Sequence, residues 1–139
     1  MELELKYIAP YLPYGLKIQG QTNKEVAELT AIKDGGVQIN DNKITYGWWS
    51  DFFDIKLILH PLSDITKEIE VNGEKFVPID FLVDKMKLTI GGLSKFGITK
   101  RILNEPFTID YWAFEKLLSW HFDVFSLIND GLAIDINTF

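Results

Sequence analysis

The stretch from Thr108 to Phe139, TIDYWAFEKLLSWHFDVFSLINDGLAIDINTF, constrains this chain more than any other. Apolar side chains recur at Tyr111, Phe114, Leu118, Phe122, Phe125 and Ile128, the three-to-four spacing of one helix face. A second stripe runs through Leu117, Trp120, Val124 and Leu127. A helix apolar on more than one face is a buried helix. The pattern therefore predicts a long C-terminal helix in the core, capped by Thr108 or Asp110 and stopped by Gly131 at C′. On that reading Phe114, Leu118, Phe122 and Phe125 are nearly inaccessible to solvent. Leu132 to Ile136 follows as a short extended tail.

The N-terminal half has a different period. Leu5 to Leu12 suits a short helix limited by Pro10 and Pro13, and Gly15 releases the chain into an alternating strand, Leu16 to Gln19. KEVAELTAIKD reads as a strand ending at the Asp34-Gly35-Gly36 turn. Val37 to Ile39, Ile44 to Tyr46 and Ile55 to Leu59 are further strands. Between the last two, GWWSDFFD reads as a long turn. Asn72-Gly73, between Glu68–Val71 and Glu74–Val77, predicts a two-residue hairpin with both turn residues at positive φ. Pro78 opens a short helix, IDFLVDKM, and residues 87–105 read as irregular structure or weak strands around Gly91, Gly92 and Gly97.

The expected fold is α+β: a small N-terminal SH3-like antiparallel sheet and a β-hairpin packed with a C-terminal helical unit. The length of 139 residues suits one domain. Its subregions are 1–61, β-rich; 62–109, with the hairpin, short helix and irregular segment; and 110–139, with the buried helix and tail.

There is no cysteine, which excludes disulfides and thiolate zinc sites and favours a reducing cytoplasm. No apolar run reaches the ~18 residues of a membrane span, so no membrane partner is expected. The net charge of −6 is uneven: residues 85–105 carry +4. An acidic chain repels nucleic acid at long range, yet a local basic patch can bind phosphate.

Candidate chemistry is sparse. His121 and Asp123 sit two apart on the expected helix, roughly 200° around its axis, and cannot converge on one metal. His60 has no neighbouring ligands in sequence. Asp51 and Asp54, spaced i, i+3, would share a helical face and could bind a divalent metal in a small hydrolase or nuclease. Lys95, Lys100 and Arg101 lie in a glycine-containing stretch that suits contact with phosphate, without the Walker or dinucleotide spacing. Trp48, Trp49, Phe52 and Phe53 form an aromatic cluster that either covers a barrel end or binds a partner. No motif calls for a cofactor.

Three phrases carry a resemblance: IAPYLPYGLK (8–17), ILHPLSDITKEIEVNGEKFVPID (58–80) and SWHFDVFSLINDGLAIDIN (119–137). Together they resemble a family of small proteins encoded in phages and prophages of Bacteroides-type bacteria. Residues 20–54 and 84–110 fall outside the match. The resemblance implies a phage-related, cytoplasmic origin and no catalytic residues. The expected role is a non-enzymatic accessory protein that binds a macromolecule, with a protein as partner. The alternatives are a metal-dependent hydrolase or nuclease using Asp51 and Asp54, and a nucleic-acid binder working through residues 85–101.

Overall fold

Proline lacks a backbone N–H, and Pro10 and Pro13 keep the first helix short. The computed structural model describes residues 3–20, 26–33, 36–40, 48–51, 55–86 and 95–139. In it α1 (Leu5–Ile8) passes into a 3₁₀ turn, Ala9–Tyr14, closed by Gly15 at φ +66°. Strands β1 (Lys17–Gly20), β2 (Val26–Lys33), β3 (Gly36–Asn40), β4 (Trp48–Asp51) and β5 (Ile55–Leu59) follow. A 3₁₀ turn, Leu62–Thr66, leads to the hairpin of β6 (Ile69–Val71) and β7 (Glu74–Phe76). Helices α2 (Pro78–Met86), α3 (Lys95–Asn104) and α4 (Tyr111–Ser119) come next, and β8 (Ala133–Asp135) lies near the C-terminus. The protein is α+β, and its contacts divide it into two compact units: Met1–Pro61 with His121–Phe139, and Leu62–Trp120.

The first unit holds a sheet of order β4-β3-β2-β1-β5-β8. Its strands pair antiparallel except β8, which joins β5 in parallel. The IKLIL run of β5 is explained by this position. Leu57, Ile58 and Leu59 are all buried although successive side chains point to opposite faces, so both faces of β5 are covered. Ile8, Tyr11, Leu16, Ile18, Leu29 and Phe122 fill out this core. β1, β2, β3 and β5 lie where alternation and turn signals put them. The expected strand at Ile44–Tyr46 lies outside the described residues. GWWSDFFD is not wholly a turn: Trp48–Asp51 pair with β3, Ile39 opposite Trp48 and Gly36 opposite Asp51. Tryptophan's preference for extended backbone suits that pairing.

The long C-terminal helix does not form. α4 stops at Ser119, and His121 follows at φ +63°. Among non-glycine residues, His, Asn and Asp are the ones enriched in this left-handed region. His121 thus occupies the C′ position that the sequence pattern assigns to Gly131. Gly131 does take φ +75°, but it closes a series of turns, not a helix. Those turns hold because the Asp123 carboxylate accepts the N–H groups of Leu127 (2.7 Å) and Ile128 (2.9 Å), replacing intrahelical bonds. Leu118 and Phe122 are buried as expected, whereas Phe114 and Phe125 are half-buried and Tyr111 is exposed.

In the second unit Asn72 (φ 53°) and Gly73 (φ 82°) both take positive φ in a two-residue turn, as the Asn-Gly signal requires. Pro78 is the first residue of α2. The expectation of irregular structure over 87–105 fails at its C-terminal end. Residues 95–104 form α3, which buries Ile98 and Ile102, an i, i+4 pair that outweighs the helix-weakening Gly97.

Candidate functional site

The polar side chains that meet in the first unit come from three distant segments. Tyr11 and Tyr14 lie on the N-terminal 3₁₀ turn, His60 follows β5, and His121, Phe122 and Asp123 follow α4. The Tyr11 hydroxyl donates to the Phe122 carbonyl. The His60 N–H donates to the His121 carbonyl (2.8 Å), and the Asp123 N–H donates to the His60 carbonyl (2.9 Å). The His60 and Phe122 rings lie 5.4 Å apart. His121 Nε2 donates to the Tyr14 carbonyl at 2.7 Å, because a carbonyl can only accept. Residues within 8–17, 58–80 and 119–137 all contribute to this junction.

Electrostatics and burial mark the junction as structural. Burial pushes the Tyr11 phenol well above its ordinary range, against the pull of a backbone hydrogen bond at Val124. Burial also raises the Asp123 carboxyl, and the N–H groups of Ile128 and Leu127 offset this in part. Burial lowers the His121 imidazole, opposed by the Tyr14 carbonyl and the charge of Glu28. These groups hold backbone, and Tyr11 and Asp123 are both closed to solvent.

The second unit presents a different surface. Phe81 of α2 sits among Phe76, Trp112 and Trp120, with ring centroids 6.4, 6.3 and 5.4 Å away. Lys116 Nζ lies 5.8 Å from the Phe81 ring centre, within cation–π range. Phe81 and Trp112 remain more than one-third exposed. Nearby in sequence, the turn between α3 and α4 forms a cleft lined by Phe107, Ile109, Tyr111 and Phe114, with a volume of about 200 Å³. The Phe107 and Phe114 rings are 5.7 Å apart, and Phe107 and Tyr111 are 64% and 78% exposed. Arg101 fixes this turn: its Nε donates to Thr108 Oγ1 (3.1 Å), and its NH2 group donates to the Thr108 carbonyl (3.3 Å).

The residues singled out from sequence fare unequally. Lys95, Lys100 and Arg101 are exposed on α3, where their spacing sets them roughly 100–140° apart around the axis, so they share no single face. Lys95 pairs with Asp80 at 2.5 Å, and Arg101 is engaged with Thr108. Trp48, Trp49 and Asp51 lie in β4, so the helical premise for pairing Asp51 with Asp54 does not hold at Asp51. Phe52, Phe53 and Asp54 lie outside the described residues. Among the described residues, no three His, Asp or Glu side chains gather as metal ligands. No helix among them is long and apolar enough to cross a membrane.

Sequence reasoning missed the cleft. Tyr111 and Phe114 were expected on a buried face, and Phe107 belongs to no periodic element. The available signal was Pro106 followed by alternating Phe107, Ile109 and Tyr111 at a helix start, a pattern that also fits ordinary packing. No protein-family model, curated protein or solved structure matches this chain.

Proposed function

We propose that this is a non-enzymatic accessory protein, phage-derived and cytoplasmic, that binds another protein through the aromatic surface of its second unit. The observation that carries the reading is the exposure of rings in two places on the second unit, Phe81 stacked with Trp112, and Phe107 and Tyr111 lining a cleft. Aromatic residues are enriched where protein interfaces carry their binding energy. A cleft of about 200 Å³ falls below the ~300–1,000 Å³ usual for a small-molecule site and suits one side chain of a partner. The Tyr11, His121 and Asp123 side chains of the first unit are occupied in holding backbone, which supports a non-enzymatic role. We read the first unit's antiparallel strands as SH3-like; the placing of β1 between β2 and β5 supports this.

The test is affinity capture from the cytosol of a Bacteroides-type host, with bound nucleic acid assayed separately. Wild-type protein is compared with a Phe107→Ser, Tyr111→Ser variant. A protein retained by the wild type and lost by the variant supports the reading. Equal capture by both would refute it for this surface.

A further inference from the structure

The cleft between α3 and α4 has an acidic frame. Glu105 precedes the turn that carries Phe107, and Asp110 directly precedes Tyr111. Glu115 stands one helical turn beyond Tyr111, at i+4 on the same face of α4. All three acids are exposed. The neighbouring cation Arg101 is engaged with Thr108, and Lys116 leans over Phe81, roughly 140° around α4 from Tyr111. Hydrogen bonds to neutral Thr108 leave Arg101 its charge, so three carboxylates against one guanidinium make the segment around the cleft net negative, while the lining is aromatic and aliphatic.

One kind of side chain answers both halves of that description. Lysine and arginine carry an apolar stem and a cationic head, and they bury the first while leaving the second in water. Aromatic faces attract such a head, and carboxylates nearby add to the attraction. We infer that the cleft of Phe107, Ile109, Tyr111 and Phe114 receives a lysine or arginine side chain from a basic segment of the partner protein. The stem lies against Phe107 and Phe114, and the head reaches the face of Tyr111 and the carboxylates of Asp110 and Glu115. This rests on the binding role proposed for the second unit and adds the chemistry of the partner.

The test titrates full-length protein with three capped peptides that share a Gly/Ser frame and a flanking leucine. They differ at one central position: lysine, norleucine or glutamate. Binding is read by NMR from the ring protons of Phe107 and Tyr111. The lysine peptide should bind about fivefold more tightly than the norleucine peptide, the scale of one exposed cation–π contact. That margin should shrink on raising the salt, since exposed charges are screened. It should also shrink in Asp110→Asn, Glu115→Gln protein, whose substitutions are isosteric and exposed. Equal binding of the lysine and norleucine peptides would overturn the inference and leave an apolar anchor in the same cleft. Ring shifts that follow protein concentration alone would overturn it in favour of a second copy of this chain. Silence from all three peptides would also overturn it, while the captured proteins of the Phe107→Ser, Tyr111→Ser comparison judge the wider binding role independently.

Discussion

The hydroxyl of Tyr11 donates a hydrogen bond to the carbonyl of Phe122, joining positions separated by 111 residues in the chain. Tyr11 and Phe122 are both fully buried, so neither group has water as an alternative partner. A Tyr11→Phe substitution keeps the ring and removes the donor. It should destabilise the protein by about 0.5–1.5 kcal/mol, the net worth of one hydrogen bond, because the Val124 N–H still donates to the same carbonyl at 3.0 Å. Urea denaturation checks this through a lower midpoint at unchanged slope.

Phe122 and Tyr111 belong to one apolar stripe in the sequence, but the structure separates their roles. Phe122→Ala should cost about 3–5 kcal/mol, as expected for a ring that is 0% exposed. Tyr111→Ala should change stability by no more than about 0.5 kcal/mol, since its ring is mostly in solvent. Similar losses for the two variants in thermal or chemical unfolding would contradict the placement of both residues.

Acid should weaken the first unit through His121. Its imidazole is held below the ordinary 6.5 by burial, so the folded state binds fewer protons than the unfolded chain as pH falls through that value. Stability therefore rises with pH across the window and is lost on acidification from about 6.5 downward. A His121→Gln variant should show a flatter melting temperature between pH 7.5 and 5.5 than the wild type. Parallel curves for the two proteins would remove His121 as the source.

Gly73 occupies φ 82°, where a β-branched side chain is strained. Gly73→Val should destabilise the β6–β7 hairpin by about 1–3 kcal/mol. Amide exchange at Ile69 to Phe76 should quicken in the variant. Unchanged protection there would show that the turn tolerates the substitution.

The three cations of α3 point in different directions, and Lys95 is paired with Asp80. Fluorescence anisotropy with duplex and single-stranded oligonucleotides should therefore stay flat in about 150 mM salt, where a few scattered phosphate contacts bind weakly. Submicromolar binding lost on removing Lys95, Lys100 and Arg101 would replace the protein-binding proposal with a nucleic-acid one.

Much of the local structure was legible because its signals are local. Asn72-Gly73 specifies positive φ, Pro78 marks a helix start, alternation marks β1 and β3, and the continuous apolar run marks β5. The end of α4 was hidden because its causes are distant. No glycine or proline stands at Trp120 or His121, and the Phe122–Phe125–Ile128 spacing reads as helix. Bonds from Tyr11 and His60 hold that segment in another path, a tertiary preference overriding a weak local one. The cleft was hidden for a related reason: periodicity marks which residues share a face and says nothing about which faces find cover. α3 was obscured by Gly97 and by the charges around its two buried isoleucines.

The parallel pairing of β8 with β5 has a consequence for how the protein is made. Leu57 leaves the ribosome long before Ala133, its partner across the ladder. Until then the nascent chain carries β5 with one edge unclaimed, and the pocket for Phe122 stands empty. The residues between, Leu62–Trp120, form a unit of their own and can collapse during this interval. The first unit is therefore completed only once Ala133–Asp135 has been made, when that strand joins a sheet begun by β1 to β5. Any stall in translation before His121 leaves an unfinished sheet edge, the kind of surface on which nascent chains pair with one another.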